Sequence, residues 1–252
     1  MNLEALLDEL RDNVLRDNSE LASGPNDELW SDETLVRYIN DAQQRFCRKT
    51  LSLRDASTPE VVQVCLATGI SSYVLHESVL AVVSARYDTN TTDLHRVGRT
   101  LLAQLEPFDP PWFDPNNVAT LTPGPPIAFS TDETLDVDVA GAVTLVVYPT
   151  PSADEDKKNI HLRVARLPLE QFDVSKLNAE CELVEGYQLD MLEWAAFRAL
   201  RNSDIDGHSS AASDHEKRFN DAVNEVLKDV RRKMRAPIRF GFGQGGFRWE
   251  TT

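Results

Sequence analysis

Close to its end the chain reads APIRFGFGQGGFRWETT, and within it GFGQGG has the spacing G-x-G-x-x-G that cradles a pyrophosphate in nucleotide-binding enzymes. That chemistry needs a strand before the glycines, a helix N-terminus after them and an acidic residue further on. Only Phe247 to Thr252 follow here, so the phosphate reading is set aside. DIDG at Asp204 to Gly207 opens like a calcium loop, but its twelfth position is His215 where a glutamate is required. His76-Glu77 is not continued into H-E-x-x-H, and His95, His161, His208 and His215 have no ligand spacing. Ser71-Ser72 and Ser209-Ser210 lack nucleophile-elbow glycines. Cys47, Cys65 and Cys181 form no C-x-x-C pair and predict reduced, scattered thiols. No catalytic residue, cofactor or metal is expected.

The same terminal stretch has another chemistry, that of contact. Ile238, Phe240 and Phe242 alternate with Arg239 and Gly241, which is strand spacing, and Phe247, Arg248 and Trp249 follow. An extended segment can add to a sheet edge or lie in a groove, its backbone giving affinity and its alternate side chains selectivity. Aromatics carry much of the energy at interfaces, so Ile238, Arg239, Phe240, Phe242, Phe247, Arg248 and Trp249 are the candidate partner-binding set. A disordered tail with no partner is the alternative.

Charge separates this end from the body. Lys228 to Thr252 carries +5 and the rest of the chain −20, giving the overall −15. So acidic a body disfavours nonspecific wrapping of nucleic acid, itself a polyanion, while letting DNA pass nearby. The basic run from Lys228 to Arg235 fits either a contact surface or a helix end matched to its own dipole. The N-terminus is too acidic for a signal peptide, and no apolar run reaches membrane-spanning length.

The elements that must carry these residues follow from periodicity. Leu3, Leu6, Leu7, Leu10 and Val14 give a first amphipathic helix. Ser31 N-caps a second, with Asp32 and Glu33 at its positive end and Leu35, Ile39, Ala42 and Phe46 along one face. From Leu51 short β-branched runs take over: VVQVCLATG, SYVL, SVLAVVSARY, PPIAFSTD, TLDVDVA, AVTLVVYPTP and NIHLRVARLP. LHRVGRTLLAQLE offers a brief helix, FDPPWFDPNN is irregular, and ADEDKK reads as a solvated loop tip. Helical spacing returns from Glu182, with Leu183, Tyr187, Met191, Trp194, Ala195 and Leu200. A fourth helix follows, N-capped by Ser213 with Glu216 completing a capping box, and Phe219, Val223, Val226, Leu227 and Val230 inward. The expected class is α+β. A discontinuous helical bundle (1–50 and 180–236) carries an inserted antiparallel β-sandwich or barrel (51–179) and an extended C-terminal tail (237–252).

This layout resembles the head-to-tail adaptor proteins of short-tailed phages. The resemblance rests on LWSDETLVRYINDAQQRFCRKT, VVYPTP, HLRVARLP and VEGYQLDMLEWAAFRALRNSD, together with the charged helix around Phe219. It implies a homo-oligomeric ring of twelve copies under the portal vertex, assembled in host cytoplasm and found in the virion neck. It also implies contacts with the portal and with tail or nozzle proteins, DNA passing through the lumen without specific binding, and no membrane. The C-terminal extension is similar to those that reach up to the portal.

Two readings compete. A carbohydrate-binding or hydrolytic β-domain on a helical base would use Trp112, Tyr87 and nearby acidic residues, though Trp112 and Phe113 equally fit a loop pinned to the sandwich. A DNA-binding regulator would use Arg231 to Arg235 on phosphates.

Overall fold

A computed structural model describes residues 1–16, 29–88, 93–96, 123–133, 142–202, 208–234, 239–243 and 246–250. In chain order, α1 (Leu3–Glu9) runs into a π-helical turn (Leu10–Leu15), and α2 spans Asp32–Thr50. Then come β1 (Arg54–Asp55), α3 (Pro59–Val62), β2 (Gln63–Cys65), β3 (Ser72–Val74), β4 (Val79–Tyr87) and β5 (His95–Arg96). The strands β6 (Ala128–Glu133), β7 (Val143–Tyr148) and β8 (Asn159–Arg166) follow, then α4 (Glu185–Arg201) and α5 (His208–Met234). The last two are β9 (Arg239–Gly243) and β10 (Gly246–Glu250). The architecture is α+β, with largely antiparallel sheets.

The chain divides into two compact units, Met1–Ser52 with Glu170–Thr252, and Leu53–Leu169. In the helical unit, α2 forms where its caps and stripe dictate. Ser31 Oγ accepts the Thr34 N–H at 3.4 Å, Asp32 and Glu33 sit at the positive end, and Arg48 and Lys49 close the negative end. Its stripe of Leu35, Ile39, Ala42 and Phe46 is fully buried. Aromatic rings from three helices meet in the core. Phe46 lies 6.2 Å from Phe219 and 5.9 Å from Tyr187, and Trp194 lies 5.2 Å from Phe219 and 4.7 Å from Phe197. Such tilted and edge-on pairs add to the apolar area they bury. Trp194 is fastened at both its ring and its nitrogen: Nε1 donates to Asp41 at 2.7 Å, and the Arg45 guanidinium stands 3.8 Å over the ring.

Three features of this unit differ from the sequence reading. α5 begins at His208, so Ser213 is no N-cap; it lies inside the helix and its Oγ donates to the Ser209 carbonyl at 3.1 Å. The residues before it, HSSAA, tolerate helix, and burying Ala212 favours the extra turns. Residues 170–179, assigned by the reading to the β-rich part, cluster with the helices. Asn40 and the Phe172 backbone exchange hydrogen bonds of 2.9 and 2.8 Å, and Leu3 N–H donates to the Ala179 carbonyl at 2.9 Å. The first helix keeps its buried face of Leu3, Leu6, Leu7 and Leu10, but its second half winds as a π-turn.

The second unit is two sheets around one core. β8 is central to the first, paired along its length with β4 and on its other side with β1 and β2. The second has the order β3-β7-β6-β5. Val82, Ile160, Leu162 and Val164 from one sheet and Phe129, Leu145 and Val147 from the other share a buried cluster, which makes this a sandwich. The short β5–β6 pair is parallel, an exception to the antiparallel expectation. VVQV splits into the α3 turn and β2, because Pro59 starts a helix well and Val61 and Val62 bury themselves from it. ADEDKK is not wholly solvated: Glu155 is 6% exposed and pairs with Lys158 at 3.1 Å. TLDVDVA from 134 to 140, LHRVGRTLLAQLE from Val97 onward and FDPPWFDPNN lie outside the described residues. The Tyr148–Pro149 bond of VVYPTP is cis.

The sandwich is closed where the chain enters and leaves it. β1 pairs with the end of β8, Arg54 opposite Ala165 and Asp55 opposite Val164. There Arg166 Nε donates to Asp55 Oδ2 at 2.7 Å, and Asp55 Oδ1 accepts from the Ser57 N–H at 2.8 Å, the Ser57 hydroxyl at 3.1 Å and the Thr58 N–H at 3.1 Å. Burial alone would raise the Asp55 pKa; hydrogen bonds from Thr58, Ser57 and Arg166 outweigh it and hold the carboxyl well below the usual carboxylate range.

Candidate docking interface

The candidate residues near the C-terminus are not one extended strand. Their backbone doubles back as an antiparallel pair, β9 against β10, with Gly243 opposite Gly246, Phe242 opposite Phe247, Gly241 opposite Arg248, Phe240 opposite Trp249 and Arg239 opposite Glu250. Directly opposed residues of an antiparallel pair share a face, and alternate residues change face. Phe240, Phe242, Phe247 and Trp249 therefore occupy register positions of one face of the hairpin. Arg239, Gly241, Arg248 and Glu250 occupy the other. The sequence reading gave strand alternation from Ile238 to Phe242 and took Phe247 and Trp249 as terminal anchors; the register sets the four aromatics opposite one another. Ile238 lies outside the described residues. A two-stranded hairpin is marginal by itself in water and needs a third strand or a packed face to be stable.

Upstream of the hairpin, α5 keeps a buried stripe of Phe219, Val223, Val226 and Val230, while Arg231 and Arg232 are exposed. Arg232 pairs with Asp229 at 3.3 Å, so part of the basic run is spent within its own helix.

The residues weighed for other chemistry are placed as follows. His215 is a core histidine, its Nδ1 2.6 Å from Glu193 Oε2 across α4 and α5. His208 stacks on Trp30 with 6.2 Å between ring centres, and His76 Nδ1 meets Ser78 Oγ at 2.9 Å. Cys47 is buried, Cys65 exposed and Cys181 half-buried, and none of the three is in a disulfide. Asp190 is shifted in the other direction: burial, then Glu225 and Glu193, push its pKa up. The carbohydrate reading loses one of its two aromatics, because Tyr87 is 6% exposed and belongs to the sandwich core. Trp112, Phe113 and residues 204–207 lie outside the described residues. Among the described residues no helix is long and apolar enough to cross a membrane.

Sequence reasoning missed two constellations that hold the scaffold, Asp41–Arg45–Trp194 and Asp55–Arg166. Arg45 and Asp41 sit one helical turn apart on α2, a spacing that was visible, but their target on α4 is 153 residues from Asp41.

No curated protein matches the chain. A family model described as SU10 adaptor protein matches residues 1–241, which takes in both units and the hairpin as far as Gly241. With that match over nearly its whole length, the chain belongs to the SU10 adaptor protein family, the head-to-tail adaptors of phages.

Proposed function

We propose that this adaptor works as a ring of twelve copies beneath the portal vertex, joining the capsid to the tail, with its C-terminal segment docked on the portal protein. Membership of an adaptor family supports a structural role and a place in the virion neck, among portal and tail components. The observation that carries the docking step is the hairpin register, which sets Phe240, Phe242, Phe247 and Trp249 on one face. A face of that kind is unstable in water and is completed by a protein surface, where aromatics contribute most of the binding energy. Arg239 and Arg248 on the opposite face add charge for steering and register.

The ring follows from the way one adaptor must fill a closed collar: a heterologous contact repeated about an axis closes without free ends. The body, at −20, suits a channel wall that repels a sliding polyanion. No reaction enters this account; differential contacts between copies and neighbours do the work.

The test is the mass of the complex formed when the full chain meets purified portal rings. Twelve copies per portal ring are expected, with Phe240, Phe242, Phe247 and Trp249 losing solvent access in an image at side-chain detail. A monomer that leaves portal rings bare contradicts the reading.

A further inference from the structure

An arginine face runs along the helical unit of a chain that carries −15 overall. Arg37, Asp41, Arg45 and Arg48 recur at three- and four-residue steps, so they share one side of α2, away from its buried stripe. Arg198 and Arg201 stand on the adjoining side of α4. Asn202 Nδ2 donates to Tyr38 Oη at 2.9 Å, and Arg198 lies 3.7 Å from Asp41, so the two stripes meet. Aromatic rings hold these cations in place. The Arg45 guanidinium over Trp194 has its Nε buried with no hydrogen-bond partner. Arg37 and Arg198 stand over Tyr38 at 5.7 and 5.9 Å, and Arg201 over Phe197 at 5.5 Å. Asp41 is the acid within this face, already engaged by Trp194 and Arg198, and Glu33 lies at its margin. Arg37, Arg48 and Arg201 are exposed and Arg45 half-buried, and none of the four has an ion pair among the described residues.

The same unit carries the opposite charge on its first helix. Glu4, Asp8 and Asp12 recur at four-residue steps along α1 and its π-helical turn, all exposed and none ion-paired among the described residues. Copies that each bear −15 repel one another, so a ring of them needs places where unlike charges meet. A ring contact is heterologous and joins two different patches of the chain. The arginine face and the acidic stripe are two such patches, of opposite sign and each built on helices. We infer that the arginine face of one copy seats the acidic first helix of the next, so that the ring closes through a seam of unlike charges. This rests on the ring proposed above and names its seam. Guanidinium groups already held against rings lose little freedom when they grip a carboxylate, and the planar fork suits that partner. Nucleic acid is also a polyanion, but it meets the same −15 at every approach. A neighbouring copy brings carboxylates spaced one helical turn apart, the spacing of the arginines themselves.

The test mixes full-length chain with purified portal rings and weighs the products by native mass spectrometry. The parent should fill rings cooperatively, so that full and empty rings coexist when protein is limiting. Arg37→Glu with Arg48→Glu, and separately Asp8→Lys with Asp12→Lys, should each keep the grip of the hairpin but fill rings one copy at a time. Partial occupancies should appear, and full rings should need about a tenfold or greater rise in concentration. An equimolar mixture of the two variants should restore cooperative filling. In alternating order, which a ring of twelve allows, every seam again joins unlike charges. Should a reversal unfold its chain, salt decides on the unaltered protein: raising it to about 0.5 M should turn cooperative filling into independent filling. Cooperative filling by either variant alone, a mixture no better than its parts, or cooperativity indifferent to salt overturns the seam and leaves the ring standing. Portal rings left bare by the parent contradict the ring itself, and the seam with it. Retention of single copies on DNA, lost in Arg37→Glu with Arg48→Glu, would assign the face to nucleic acid and overturn the inference.

Discussion

At the scale of single residues, a buried ion pair joins partners far apart in the chain, and losing one member leaves the other uncompensated. Arg166 and Asp55 are both nearly inaccessible and bonded at 2.7 Å. Removing one partner leaves an uncompensated buried charge, so Arg166→Met should destabilise the sandwich by about 3–5 kcal/mol, read as a lower midpoint in denaturant. Asp55 also fixes the sign of an acid effect. Its folded pKa is depressed, so the stability it contributes is complete above the unfolded value and is lost as pH falls from about 4 toward the folded one. The stability gap between the parent protein and Asp55→Asn should therefore narrow in melts carried below that pH. Asp190 runs oppositely: its raised pKa means that the charged form is strained at neutral pH. Asp190→Asn should melt at a higher temperature than the parent at pH 7, and that advantage should shrink as the medium is acidified through the folded pKa.

Elements were legible where a local rule sufficed. α2 could be read from Ser31 to Thr50 because its cap, its acidic start and its stripe all lie within nineteen helical residues. The β-rich character of Leu53–Leu169 was legible from β-branched runs, while the parallel β5–β6 pair was not, since no local pattern encodes which strands become neighbours. α5 misled because Ser213 and Glu216 satisfy the capping-box spacing, yet tertiary burial of Ala212 extends the helix past them. Residues 170–179 gave no signal of their own, having neither helical nor strand period, and belong to the helices through backbone hydrogen bonds to Asn40 and Leu3. The first arm of the hairpin was visible as alternation from Ile238 to Phe242, and its pairing with the second was not. Cap and core should differ in weight. Ser31→Ala should cost about 0.5 kcal/mol, the low end for caps, because its bond to Thr34 is long at 3.4 Å. Phe46→Ala and Trp194→Ala should cost about 3–5 kcal/mol each, since both rings sit at the junction of α2, α4 and α5. Thermal melts of the three variants check the order.

At the scale of the whole molecule, we propose that the helices and the sandwich carry folding while the hairpin at the end of the helical unit carries recognition. Among the residues whose side chains are described, the buried apolar positions run no further than Val230, and the paired register of β9 and β10 follows them. Deleting residues 238–252 should consequently leave melting behaviour close to that of the full chain while removing its grip on the portal. The most direct measurement is co-sedimentation of full and truncated chains with portal-containing heads that lack tails. The full chain should be retained on the heads, and the truncated chain should stay in the supernatant, still folded. Equal retention of both would contradict docking through the hairpin.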